Sequence, residues 1–214
     1  LDVATLMGFV RDPRIADEEA GYGQVARLRE IDDPRLRLLW VAPTGSVTTP
    51  FVPWFMGVEG IPPEYRQHRY LTKGAATHFL SPTHQLDEST AFVGRTFKRL
   101  LYVTCAHPEK FLPEVVEAVS AFEAQSREDL PRIAQAARAL SKGGAGDLVP
   151  EHLTRYSWRR ATEAHALGAA LLGSIEARSE LLFGRPPPEG PINAPTGAPT
   201  PSCLPGADPD RPPP

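Results

Sequence analysis

Six histidines and two cysteines are the residues whose types most readily do chemistry. His68, His78 and His84 fall in a segment punctuated by proline and glycine, at spacings that match no usual zinc pattern. No H-E-x-x-H run accompanies them. They read as loop histidines, and His152 and His165 as ordinary residues of a long helix. Cys105 could attack a carbonyl as its thiolate. It sits on the apolar stripe of its helix with no local base to lower its pKa, so it reads as an inert buried thiol. Cys203 lies in a proline-rich stretch with no shaped site around it. Two cysteines cannot make a disulfide framework or a four-thiolate zinc site. Gly45-Ser46-Val47 is not the nucleophile elbow of a serine hydrolase, and the only glycine-rich run, Gly143-Gly144-Ala145-Gly146, has no strand before it to make a phosphate loop. Arg95, Lys98 and Arg99, and then Arg155, Arg159 and Arg160, recur at helical spacing among acids and predict solvated helix faces. These residues make no complete catalytic constellation.

Composition sets the frame that must position them. Of 24 prolines in 214 residues, twelve fall in Arg185 to Pro214, where Ile192 and Leu204 are the only large aliphatics. Such a stretch cannot bury enough apolar surface to offset the entropy of ordering it, and it predicts a disordered tail over 185–214. The domain is then 1–184. A net charge of −3 gives no reason to expect a nucleic acid or an acidic membrane surface as partner. The longest strongly apolar stretch, Ala166 to Ile175, is about half a bilayer-spanning helix. The chain opens Leu1-Asp2-Val3, without an initiator methionine or a signal peptide, which predicts processing or a fragment. The compartment is not written in these residues, with the cytoplasm slightly favoured.

Val3, Leu6, Met7 and Val10 repeat at helical spacing, with Asp2 placed to cap the first turn and Asp12-Pro13 to end the helix. Gln24 to Ile31 and Leu36 to Ala42 predict two strands, joined through Asp32-Asp33-Pro34-Arg35 as a hairpin. Leu38-Leu39-Trp40-Val41 is apolar on both faces, which predicts a strand covered from both sides. Thr44 to Gly57 reads as an irregular apolar loop, because Pro50 and Pro53 cannot donate to a ladder. Beyond Asp87 the pattern is helical: Val93, Phe97, Leu100 and Leu101 make one stripe, and Leu112, Val115, Val116, Val119 and Phe122 a second. Leu130, Ile133, Ala137 and Leu140 make a third. After the connector 141–146, a helix from Pro150 to Phe183 turns Leu153, Tyr156, Ala164, Leu167, Leu171, Ile175 and Leu182 inward. The fold class is α+β, mostly helical with one hairpin. A lone hairpin is marginal in water, so the rest of its sheet is expected to come from elsewhere.

The block Leu38 to Tyr65, LLWVAPTGSVTTPFVPWFMGVEGIPPEY, resembles a segment of the dipeptidase A and secernin-type cysteine dipeptidases, members of the N-terminal-nucleophile hydrolases. What matches is the order of parts: a buried strand ending Trp40-Val41-Ala42, a polar loop, Pro50-Phe51-Val52-Pro53 with an aromatic pair, and Ile61-Pro62 followed by Tyr65. The resemblance implies that this chain is the C-terminal part of a four-layer α-β-β-α fold. It also implies a peptidase acting on dipeptides or related small amides. The nucleophile would be an N-terminal cysteine on an upstream segment of the same precursor, using its own α-amine as base. None of the family's catalytic residues maps onto a position here, and the chain alone is expected to be inactive. Thr48, Thr49, Phe51 and Trp54 are the candidate substrate-binding positions, with packing beside the sheet as their alternative. No metal or organic cofactor is implied, no nucleic acid or membrane partner is expected, and self-association is left open. The other readings are a non-catalytic helical binding module docking through Phe51 to Met56, or an acylase or amidase for a small metabolite.

Overall fold

The computed structural model describes residues 2–16, 22–27, 33–66, 92–184 and 203. Helix α1 spans Val3–Arg11. Its first turn is capped by Asp2, whose carboxylate accepts from the Thr5 backbone N–H and hydroxyl, each at 2.8 Å. Asp12 leaves the helical region before Pro13, and the helix stops there.

Strands β1 (Gly23–Arg27), β2 (Leu38–Ala42) and β3 (Val52–Phe55) form an antiparallel sheet in that order. The turn chemistry before β2 is used: Asp33 accepts from the Arg35 N–H at 3.0 Å and caps a short 3-10 turn, Pro34–Leu36. Strand β3 corrects the expectation that Thr44 to Gly57 is irregular throughout. Pro53 lies opposite Trp40 in the register, but β3 is an edge, where the N–H that proline lacks need not be donated. The pairing continues past the strand, with the Met56 and Gly57 N–H groups donating to Arg37 and Arg35 carbonyls.

Directly paired residues share a face. One face therefore carries Val25, Leu38, Trp40 and Phe55, all buried in a core with Met7 of α1. The other face carries Gln24, Ala26, Leu39, Val41, Val52 and Trp54. Here the expectation of cover on both sides fails in part: Gln24 and Ala26 are exposed, Leu39, Val41 and Trp54 half-buried, and only Val52 closed off. No element among the described residues lies across the β1 half of this face.

Three helices complete the structure: α2 (Val93–Cys105), α3 (Pro108–Lys142) and α4 (Val149–Phe183). The second and third apolar stripes are one helix, not two, because Pro131 is carried inside α3. A mid-helix proline costs one backbone hydrogen bond and a clash one turn back. Packing against α4 on both sides of it holds the helix continuous. The connector ends as expected, with Gly144 at φ +81°. Arg35 fastens it to the sheet, donating to the Gly146 carbonyl at 2.9 Å and the Ser141 hydroxyl at 3.1 Å.

Ile133 and Ala137 of α3, with Val149, Leu153 and Tyr156 of α4, close the core beneath the sheet. Ala161 and Ala164 of α4 cover Val52 from the other face, so α4 lies along the β3 edge. A second core joins Phe97, Leu100 and Val103 of α2 to Phe111, Val115 and Val119 of α3 and Ile175 of α4. The close approach of α2 and α4 needs Gly168: a Cβ there would stand 2.4 Å from Cε1 of the buried Phe97 ring. At the far end of α4, Leu182 is 54% exposed and not inward as its spacing predicts. No helix among the described residues is long and apolar enough to cross a membrane.

The reading of Cys105 as an unpaired thiol is overturned. It forms a disulfide with Cys203, 98 positions away, and both are buried beside Ala16, Val47 and Leu101. Pairing depends on a Cα separation of a few ångströms, which spacing in the chain does not encode. Cys203 is the one described residue of 185–214, so the tail expectation otherwise lies outside the described residues, as do His68, His78 and His84.

Candidate functional site

The connection from β2 to β3 is the unusual segment. Loops normally run over the surface because their backbone groups need water, yet Ser46 to Phe51 is buried throughout. Its conformation begins at Gly45, whose φ of +43° lies in the left-handed region and whose Cα faces Leu101 with no room for a Cβ. The Thr48 N–H then closes a turn onto the Gly45 carbonyl at 3.1 Å.

Two charged residues from distant elements satisfy this buried backbone. Arg11, at the end of α1, donates from Nε to the Ser46 carbonyl at 3.1 Å, and reaches the Thr49 carbonyl at 3.5 Å. The same guanidinium forks onto Glu123 of α3, through Nη1 at 3.2 Å and a shorter contact from Nη2. Glu123, 2% exposed, also accepts from the Phe51 N–H at 2.8 Å. The Ser46 hydroxyl donates to the Val10 carbonyl at 2.8 Å, completing the tie to α1. Both partners of this buried bridge are thus paired and hydrogen-bonded, the condition under which buried charge is tolerated.

The four sequence-predicted positions are divided by this arrangement. Thr48 and Thr49 are fully buried, and neither hydroxyl has a hydrogen-bond partner. Phe51 is fully buried in the sheet core with the Arg11 guanidinium 5.4 Å from its ring centre. Trp54 is not brought to them. It lies on the opposite face of the sheet, packed edge-on against Tyr65 at 5.6 Å. Tyr65 in turn donates to the Ala161 carbonyl at 2.9 Å, and burial pushes its phenol far above the usual range.

A second buried polar cluster lies on the α3–α4 contact. Arg160 is 3% exposed, not on a solvated face as its spacing suggests. It donates to the Ser126 hydroxyl and to the Phe122 carbonyl at 2.9 Å, and its guanidinium lies 4.0 Å from the Phe122 ring centre. Tyr156 donates to the Ser126 carbonyl at 3.1 Å, and burial first of all pushes its phenol up to about 12. Sequence reasoning missed Arg11, Glu123 and Arg160 as structural charges. A signal existed for two of them: Glu123 follows Val115 and Val119 at i+4 steps, and Arg160 stands between Tyr156 and Ala164 in the same way. A charge on an apolar stripe is either wrongly placed or paired.

Two arrangements bear on catalysis by the chain itself. Both cysteines are bonded to each other, so the described residues hold no free thiol. Thr96 Oγ1 and His165 Nε2 lie 3.0 Å apart across α2 and α4, a hydroxyl beside an imidazole. Burial lowers the His165 pKa, with Glu64 acting weakly against it, and among the described residues no carboxylate hydrogen-bonds that ring to orient it as a base. No group of three or more His, Cys, Asp or Glu among the described residues is placed to hold a metal ion. The Ser46 to Phe51 loop holds its hydroxyls inside the protein, with Thr48 and Thr49 fully buried and Ser46 committed to the Val10 carbonyl. Compared with family models, curated proteins and solved structures, the chain matches none.

Proposed function

We propose that this chain supplies one sheet layer, its helical cover and the buried β2–β3 loop to an amide-bond hydrolase of the N-terminal-nucleophile type. Its substrates are dipeptides or related small amides. The nucleophile is a cysteine on an upstream segment of the same precursor, attacking the carbonyl carbon while neighbouring donors hold the oxyanion; water then hydrolyses the acyl-enzyme. No cofactor enters this reading.

The observation that carries it is the uneven cover of the sheet. Helices and α1 close one face, while Ala26, Leu39 and Val41 on the other are apolar and incompletely buried. An antiparallel sheet with one solvated face normally alternates to polar residues on that face. Apolar residues there are what one layer of an α-β-β-α sandwich needs against a second sheet. A docking module acting through Phe51 to Met56 has less support: Phe51, Val52 and Phe55 are buried, and of the large residues there Met56 alone is largely exposed. The test is dipeptide hydrolysis by the purified chain and by the assembly captured through it. Activity is expected in the assembly alone, and replacing dipeptides with small acyl amides separates a dipeptidase from an acylase.

A further inference from the structure

The ends of α2 and α4 meet at one corner of the molecule. Cys105 closes α2, and the His107 ring stacks on Phe183, the last residue of α4, with centroids 3.6 Å apart. Cys203 returns to the same corner. It is 7% exposed, bonded to Cys105 with the Cα atoms 4.5 Å apart, in a small cluster with Ala16, Val47, Leu101 and Leu112. Two of these neighbours belong to the buried loop's support. Val47 is inside the Gly45–Thr48 turn, and Leu101 is the side chain that fills the space before Gly45. The bond therefore backs the loop that carries Thr48 and Thr49.

We propose that the Cys105–Cys203 bond is a redox clasp on this loop. Oxidised, it holds Cys203 against Val47 and Leu101; reduced, it lets residue 203 leave, exposing the Cys105 thiol and loosening the turn. Burying one cysteine side chain and fixing its backbone have opposite signs and similar size, on the order of 1–2 kcal/mol each, so the covalent link decides whether residue 203 stays. The reductant is a dithiol. One of its thiolates attacks a sulfur of the pair, and the other protein sulfur leaves and takes a proton. The second dithiol sulfur then closes on the mixed disulfide, releasing and protonating the remaining protein thiol. Two electrons and two protons pass to the protein, and the dithiol becomes a cyclic disulfide. Both protein sulfurs are buried, so exchange waits on local opening at this corner and leaves the two cores in place. Disulfides made and broken in this way are the usual kind in compartments kept reduced.

The experiment compares amide hydrogen exchange of the full chain before and after dithiothreitol, followed by reoxidation. Exchange over 44–51 and 101–105 is expected to quicken at least about tenfold on reduction, with 38–42 and 115–137 unchanged, and to recover on reoxidation. Cys203→Ser is expected to exchange fast without reductant and to leave Cys105 open to alkylation. Equal exchange in both states overturns the proposal, as does alkylation of both cysteines in the unreduced chain. Loss of helical circular dichroism on reduction also overturns it, because the bond would then be a brace for the whole fold. Should Cys203→Ser fail to fold, reduction and reoxidation of the unaltered chain decides the matter.

Discussion

Removing the Glu123 carboxylate would leave the Arg11 guanidinium and the Phe51 N–H facing each other without their shared acceptor. Breaking one side of a buried pair costs more than the pair is worth, because the remaining charge stays desolvated. Glu123→Ala is expected to lower unfolding free energy by about 3 kcal/mol. Glu123→Gln, which keeps an acceptor for Phe51, should lose less, and urea midpoints would show the order. A Glu123→Ala chain as stable as the unaltered one would mean the loop is held by packing alone. His107 and His165 give the pH dependence. Burial lowers both pKa values below the ordinary imidazole value, so the folded state disfavours protonation of either ring. Their contribution is complete above about pH 6.5 and is lost as pH falls, because the unfolded chain takes up protons first. The Asp33 and Glu114 carboxylates, held low by Arg35 and Arg178, add a separate loss only at more acid pH. Urea midpoints are expected to fall between pH 7.5 and 5, with His107→Phe, which keeps a ring on Phe183, flattening that slope. At this scale the sequence was partly legible. The Asp2 cap is a local matter and could be read; the Glu123 partner lies 112 positions from Arg11 and could not, although a carboxylate on an apolar stripe was visible.

Elements were legible where their signals were local. Helix α1 follows from periodicity and its Asp2 cap, strand β2 from its apolar run, and α4 from the connector before it and the stripe along it. Two readings failed because tertiary context overrode a local rule. Pro53 argues against a strand in isolation and is accommodated because β3 is an edge. Pro131 argues for a helix break and is accommodated because α3 packs on α4 to either side of it. The α2–α4 contact gives a paired test with opposite signs. Gly168→Ala would press a methyl into the Phe97 ring, and the overpacking, about 1–3 kcal/mol, exceeds the gain in helix propensity. Gly173→Ala meets nothing within 4 Å and should stabilise by about 0.5–1 kcal/mol. Thermal unfolding of the two variants on opposite sides of the unaltered chain is the expected outcome; the same sign for both would contradict the close helix approach.

At the scale of the whole molecule, the α+β class and the dominance of helix could be read from the chain, but the expectation that strands beyond one hairpin come from elsewhere is corrected by β3, which this chain supplies itself. The three-stranded sheet leaves Gln24, Ala26, Leu39 and Val41 on a face that helices do not fully cover. The candidate site was legible as a segment and not as an arrangement: Thr48, Thr49 and Phe51 share a buried loop, while Trp54 stands on the other side of the sheet. The Arg11–Glu123 bridge that ties this loop down and the Cys105–Cys203 bond beside Val47 each join residues far apart in sequence, and no spacing rule reports such pairs. The proposed function has this chain working beside a cysteine it does not itself carry. Its most direct test is dipeptide hydrolysis by the native assembly captured through a tag on this chain, before and after alkylation with iodoacetamide. Hydrolysis that alkylation abolishes is expected, with the modified cysteine outside positions 105 and 203, and none from residues 1–214 alone. Hydrolysis by the isolated chain carrying Cys105→Ala, or an assembly that cleaves no amide substrate, would contradict it.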